Sequence, residues 1–139
     1  MFPTVAQSVP ARLISDAPRA RAMQVSLTYN ADDPLAVRMV FPPTVSLNGT
    51  GVTWTFARSL LDSGLHTPSG AGDVHIWPCG RTQTMVELRS PDGVALLQFD
   101  TARLRRFLLH TYATVPKELE TRAIDMEHGL ATLLREAQG

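Results

Sequence analysis

The sequence predicts one α+β domain, in which antiparallel strands are followed by helices. Through the first two-thirds of the chain, apolar and polar residues alternate with a period of two, which is typical of half-buried strands. In the last third, the apolar residues recur at helical spacing. A length of 139 residues suits a single domain, so we expect one domain over residues 1–139.

The first half of the chain carries four strand signals. They lie at residues 7–14, 25–29, 35–41 and 52–56. The alternation is clearest where Val25, Leu27 and Tyr29 are separated by single polar residues. The dipeptide Asn48-Gly49 predicts a hairpin turn before the fourth strand, because both residues tolerate a positive φ. These segments therefore predict an antiparallel meander.

A short helix is expected over residues 57–63, with Gly64 as its stop at the C′ position. Three further strand signals follow, at residues 74–77, 85–88 and 94–99, and Pro91-Asp92-Gly93 forms a turn between the last two. The chain thus repeats one pattern, strands followed by a helix, without any repeat in the sequence itself.

The second helix is expected to begin at Asp100-Thr101, where either residue can cap the N-terminus. Its apolar residues fall at helical spacing and comprise Leu104, Phe107, Leu108 and Tyr112. Pro116 ends this segment. A last helix is expected from Asp125, with an apolar stripe of Met126, Leu130, Leu133 and Leu134.

The composition excludes several classes of protein. Formal net charge is zero and Lys117 is the only lysine, so no global field attracts nucleic acid or an anionic membrane. Cys79 is the only cysteine, which excludes an intrachain disulfide and a structural zinc site built from cysteines. We see neither a secretory signal nor an apolar run long enough for a membrane span. A cytoplasmic protein without membrane insertion is expected.

No motif for catalysis, a metal or a cofactor stands out. None of the four histidines lies four residues from another, and no serine sits in a G-x-S-x-G elbow. Cys79 resembles a loop thiol with no base identifiable in sequence. Residues 70–73 are glycine-rich but lack the ending of a phosphate-binding loop. We therefore expect no enzyme activity and no cofactor, and the role of Cys79 stays open.

The only local basic feature is the cluster Arg103, Arg105 and Arg106. The simpler interpretation is a solvated helix face whose arginine stems cover apolar surface. The alternative is an interaction patch for a carboxylate-rich protein or for nucleic acid, which makes these three arginines the candidate partner-binding residues. Trp54 and Trp77 fit core or sheet-face positions better than stacking platforms for bases.

Several blocks of residues together resemble a known family. The most specific block runs from Trp54 through Arg58 to Leu61, and it continues over residues 64–74 to Trp77-Pro78. Shorter matches follow at residues 90–97 and at Val115-Pro116. These blocks resemble the SsgA-like family of sporulation and cell-division proteins from mycelial actinobacteria, and its SsgB type in particular. The motif residues, expected to be structural, are Trp54, Phe56, Arg58, Gly72, Asp73, Trp77 and Pro78.

The resemblance implies a non-enzymatic adaptor. Members of the family control where and when sporulation septa form, and the SsgB type helps to bring FtsZ to septum sites together with SsgA. The family's fold resembles the Whirly type, with β-β-β-β-α repeats and assembly as a homotrimer. Whirly-type folds elsewhere bind single-stranded nucleic acid through a lysine-containing motif that this chain lacks, so nucleic-acid binding is the alternative function and is disfavoured.

Overall fold

The computed structural model describes residues 3–14, 21–42 and 52–120, together with Leu133 and Arg135. Within these ranges the chain forms seven strands and two complete helices, and a few residues after the second helix are also helical. In chain order they are β1 (Thr4–Ile14), β2 (Arg21–Asn30), β3 (Ala36–Phe41), β4 (Val52–Ala57), α1 (Arg58–Gly64), β5 (Val74–Cys79), β6 (Gln83–Ser90), β7 (Gly93–Asp100) and α2 (Thr101–Thr114).

The seven strands form one antiparallel sheet in the order β4-β3-β2-β1-β7-β6-β5. The central strand β1 joins the two halves: it pairs with β2 from Thr4 to Leu13, and its last residues, from Ala11 to Ile14, also pair with β7. The α+β fold with antiparallel strands is therefore confirmed. The element order is β-β-β-β-α followed by β-β-β-α, and an isolated bridge between Ser69 and Ile76 precedes the strands of the second half.

The alternation of apolar and polar residues along each strand determines which face of the sheet is buried. In β2, Val25, Leu27 and Tyr29 are fully buried, while their neighbours are partly exposed. The same alternation continues on β3 with Val37 and Met39. Helix α2 packs against β1 and β7, and α1 packs against β4 and β5, so both helices cover this inner face of the sheet.

Gly64 and several strand boundaries differ from the sequence prediction. Gly64 is the last residue of α1 and is buried, and its φ is not positive, so the expected C′ stop is wrong. A Cβ at Gly64 would collide with the side chain of Ile76, so close packing against β5 is the reason for glycine there. In addition, the first strand begins at Thr4, three residues before its expected start.

The end of the chain is described only in part. After Pro116, residues 117–120 are helical, and so are Leu133 and Arg135. The expected start at Asp125 and most of the predicted apolar stripe lie outside the described residues, as does the Asn48-Gly49 turn.

Candidate protein-interaction surface

Helix α2 presents an arginine-rich face opposite its buried stripe. Asp100 caps the helix by accepting a hydrogen bond from the backbone N–H of Ala102 at 3.2 Å. The buried stripe comprises Thr101, Leu104, Phe107, Leu108 and Thr111. The solvent side carries what we call the arginine face, namely Arg103, Arg105, Arg106 and Leu109. Because these four residues lie on one regular helix docked on the sheet, their relative positions are fixed by the helix.

The arginine face is an isolated positive region on a neutral protein. Arg103 lies 4.0 Å from the carboxylate of Asp100, whereas Arg105 and Arg106 have no ion pair or hydrogen bond in the described part of the chain. The first turn of α2 contains no acidic residue. Cations near the N-terminus of a helix gain no stabilisation from the helix dipole, so the dipole does not account for these arginines.

An apolar residue lies within this positive region. Leu109 is 61% exposed and follows Arg105 and Arg106 by one helical turn, so the three side chains are neighbours on the helix surface. An exposed leucine between two arginines that pair with no described residue suits a partner segment that combines an apolar side chain with carboxylates.

A fully buried arginine fixes the other end of α2. Arg58, the first residue of α1, has 0% exposure, and its Nε donates to Glu120 Oε2 at 2.8 Å. Its Nη1 donates to the carbonyl oxygens of Val115 at 2.8 Å and Thr111 at 3.3 Å. Nη2 also lies 2.8 Å from Glu120 Oε2, although its N–H groups are not aligned for a hydrogen bond.

Two tyrosine rings complete the environment of Arg58. Its guanidinium carbon lies 4.9 Å from the ring centroid of Tyr29 and 4.5 Å from that of Tyr112. Such cation–π contacts are strongest when the charge is desolvated, as it is here. Arg58 therefore connects α1, the sheet, the end of α2 and the helical residues that follow Pro116. No local pattern predicts this role, because Glu120 lies 62 positions further along the chain.

Asp62 of α1 links this helix to α2 beside Arg58 and its two tyrosines. The hydroxyl of Tyr112 donates to Asp62 Oδ2 at 2.5 Å, and Lys117 Nζ lies 3.6 Å from the same oxygen. Burial, together with this hydrogen bond and the negative charge of Asp62, raises the pKa of Tyr112 well above its usual range. Burial also raises the pKa of Tyr29. Both phenols therefore stay protonated at neutral pH and act as donors or ring contacts.

The remaining motif residues lie elsewhere in the fold. Phe56 is buried and Trp54 half-buried on the inner face of β4, while Trp77 and Pro78 are half-buried in β5. Gly72 and Asp73 are exposed in the turn before β5, where the Gly72 carbonyl lies 2.8 Å from His75 Nε2 and the Asp73 carbonyl accepts from Arg89 N at 2.8 Å. Among the described residues, no hydrogen bond or ion pair joins a motif residue to the arginine face.

One apolar pocket opens on the inner face of the sheet, with a volume of about 150 Å³. Its lining consists of Leu13, Met23, Phe41, Val52, Trp54, Leu88, Ala95 and Leu97. Pockets for small-molecule ligands are usually larger, roughly 300–1,000 Å³, and contain a few placed polar groups. The described lining contains no carboxylate, histidine or thiol.

The described residues contain no group of three or more His, Cys, Asp or Glu side chains that could hold a metal ion. Cys79 is exposed at the end of β5. Within the same residues, no helix is long and apolar enough to cross a membrane. The fold thus defines an antiparallel α+β domain, and the arginine face of α2 is its most distinctive described surface.

Comparison with known proteins identifies the family. The family model described as Streptomyces sporulation and cell division protein, SsgA, matches residues 23–120. The chain is 45% identical over 114 residues to the sporulation-specific cell division protein SsgB of Kineococcus radiotolerans, covering 78% of this chain and 67% of that protein. It is 36% identical over 140 residues to SsgB of Streptomyces coelicolor, covering 99% of this chain and 100% of that protein.

Two solved structures of related proteins share the fold of this chain. A structure of SsgB, from work relating its mutations to longitudinal cell division during sporulation of Streptomyces coelicolor, superposes with a TM-score of 0.77 at 35% identity, over 88% of this chain and 96% of that one. The crystal structure of an SsgA-like sporulation-specific cell division protein from Thermobifida fusca superposes with a TM-score of 0.77 at 33% identity, over 94% of this chain and 96% of that one. The chain belongs to the SsgA family, whose relatives found here are sporulation-specific cell division proteins of actinobacteria.

Proposed function

We propose that this chain is a non-enzymatic adaptor of sporulation-specific cell division, which helps to place FtsZ at septum sites. The observation that carries the proposal is the arginine face of α2, on which Arg105 and Arg106 pair with no other described residue and lie beside the exposed Leu109. Family membership supports the setting in cell division. The adaptor works in the cytoplasm, at division septa, alongside other SsgA-like proteins.

The arginine face suits a protein partner better than single-stranded nucleic acid. Non-specific binding of single strands combines a basic groove with aromatic rings on which bases stack. In the described part of α2, Phe107 is buried and Tyr112 is half-buried beside Arg58, so no aromatic ring stands among the arginines. Carboxylates of a partner would pair with Arg105 and Arg106 while an apolar side chain covers Leu109.

The adaptor is further proposed to act as a homotrimer, as the family resemblance implies. Three copies present three arginine faces, so binding to a polymer of FtsZ gains from avidity without any new contact. Each arginine face can therefore bind a single FtsZ subunit weakly and dissociate from it, while the three faces together hold the homotrimer on the polymer.

Co-sedimentation with FtsZ polymers tests the proposal. The protein should pellet with FtsZ in the presence of GTP and stay in the supernatant without it. The variant Arg105→Glu/Arg106→Glu should weaken this binding about tenfold or more, since it reverses two charges at the contact, and tenfold corresponds to about 1.4 kcal/mol. Binding should also weaken with added salt, because salt screens exposed charges.

A matched control variant distinguishes an effect of the arginine face from an effect of the protein's net charge. Arg12→Glu/Arg81→Glu makes the same change in charge at exposed positions on β1 and in the turn before β6. This control should pellet like the original protein. If both variants lose the same amount of binding to FtsZ polymers, the effect comes from overall charge and not from the arginine face. If the unaltered protein does not pellet with FtsZ in the presence of GTP, a direct role in placing FtsZ is contradicted.

A further inference from the structure

The exposed side of α2 has the residue spacing of a helix that packs against another helix. Opposite the buried stripe lie Ala102, Arg106, Leu109 and Ala113, all of them exposed, at successive intervals of four, three and four residues. At about 3.6 residues per turn these residues form a single line along α2, which we call the outer row. Helices that pair side by side carry their contact residues at this same spacing.

The outer row fits a second helix of about three turns, because it extends over about 17 Å at a rise of about 1.5 Å per residue. Both ends of the row are alanines, and Leu109 is the only large apolar side chain between them. The distance between packed helices depends on the side chains at the contact, so the two alanines permit close approach while Leu109 inserts between side chains of the facing helix. A strand does not match this row, because its side chains alternate with a period of two.

The positions that flank the outer row are basic. Arg103 and His110 lie along one side of it and Arg105 along the other, and α2 contains no acidic residue. Charges at the flanking positions of paired helices select the partner, because opposite charges attract and like charges repel across the contact. Pairing α2 with α2 of a second copy would oppose arginine to arginine. The basic flanks therefore disfavour a second copy and favour a helix with carboxylates beside its apolar row.

We propose that the partner segment bound by the arginine face is an acidic amphipathic α-helix, which packs along the outer row of α2. Its apolar side chains contact Leu109 and both alanines, and its carboxylates pair with Arg103, Arg105 and Arg106. This assignment rests on the proposed function, in which the arginine face is the site of contact with the partner. The segment is thereby defined by its helical conformation and by carboxylates on both sides of an apolar row.

Synthetic peptides test this partner chemistry without FtsZ. The probe is a fluorescein-labelled peptide of about 21 residues, long enough to be helical in isolation, with leucine and alanine at the contact spacing and glutamate at the flanking positions. One control peptide has two central residues replaced by proline, which breaks the helix and keeps the charge. A second control has lysine in place of each flanking glutamate. Fluorescence anisotropy should show the helical acidic peptide binding about tenfold more tightly than either control, or better.

Variants of the outer row test where the peptide binds. Ala102→Gln/Ala113→Gln adds bulk at both ends of the row without changing charge, and glutamine is a good helix former, so α2 should be retained. This variant should bind the helical acidic peptide about fivefold more weakly, or less, because the two helices are held further apart. Ala6→Gln/Ala22→Gln is the matched control at exposed positions of β1 and β2, and it should bind the peptide like the unaltered protein. Circular dichroism verifies that both variants are folded.

Co-sedimentation with FtsZ in the presence of GTP distinguishes a failure of helix packing from a failure of the role in placing FtsZ. If the unaltered protein does not pellet with FtsZ, but binds the helical acidic peptide through the outer row, the role fails and the helical partner is supported. If Arg105→Glu/Arg106→Glu loses FtsZ binding while Ala102→Gln/Ala113→Gln retains both FtsZ and peptide binding, the role stands and a helix along the outer row is excluded. Equal binding of the helical and the proline-containing acidic peptides, or no binding of any peptide, overturns the proposal.

Discussion

Replacing Arg58 with methionine should lower the free energy of unfolding by about 4 kcal/mol. The side chain of Arg58 is fully buried and that of Glu120 is 7% exposed, so the variant leaves a carboxylate buried without its partner. Breaking a buried pair in this way costs roughly 3–5 kcal/mol. The carbonyl of Val115 also loses its donor, whereas that of Thr111 still accepts from Val115 N at 2.8 Å.

Thermal unfolding measures this effect. An unfolding entropy of about 2.1 cal/mol/K per residue gives roughly 0.29 kcal/mol/K for 139 residues. A loss of about 4 kcal/mol therefore lowers Tm by roughly 14 °C. The double variant Arg58→Met/Glu120→Leu removes both charges, and its cost should be only about 1–2 kcal/mol, mainly from the unpaired carbonyl of Val115.

The double-mutant cycle decides whether the charges interact as described. Arg81→Met, at an exposed turn position, is the control and should change stability by less than about 0.5 kcal/mol. The reasoning fails if Arg58→Met costs less than about 1 kcal/mol, or if Arg58→Met/Glu120→Leu costs as much as Arg58→Met and the single variant Glu120→Leu added together.

Two other substitutions test packing and ionisation. Gly64→Ala should destabilise the protein by about 1–3 kcal/mol in urea unfolding, because the new methyl group collides with Ile76. Gly72→Ala should be nearly neutral, since a Cβ there meets nothing within 4 Å; equal costs would remove close packing as the explanation for Gly64. The raised pKa of Tyr112 means that the folded state holds the phenolic proton more tightly than the unfolded chain does. This contribution to stability is complete below the ordinary pKa of 10.0 and is lost as pH rises above it, so Tyr112→Phe should lessen the decline in Tm above pH 10. A decline of the same size in the variant would show that Tyr112 does not cause it.

Local patterns predicted most of the secondary structure because they depend on neighbouring residues. Val25, Leu27 and Tyr29 are spaced two residues apart, which places them on the same face of a strand, and all three are fully buried in β2. The sequence offers Asp100 or Thr101 as the cap of the second helix, and in the structure the Asp100 carboxylate accepts a hydrogen bond from the N–H of Ala102. The family was also identified from the sequence, because its motif blocks are contiguous, and the comparisons confirm it.

Arg58 and Gly64 show where local reasoning failed. An arginine at the start of a short helix resembles a surface residue, and only contacts with Tyr29, Tyr112 and Glu120, distant in sequence, make it a core residue. Gly64 after a helical segment resembles a stop signal, but its role depends on how closely Ile76 of another element approaches.

The sequence by itself determined the α+β class, most of the strands, the cap and buried stripe of α2, and the family, because each rests on short-range periodicity or on contiguous motifs. Only the tertiary structure decided that β1 lies in the middle of the sheet, that β4 and β5 form its edges, and that Arg58 lies buried between two tyrosines. Strand order and burial of a charge depend on which distant segments meet, and the energy of those contacts has no signature in any short stretch of residues.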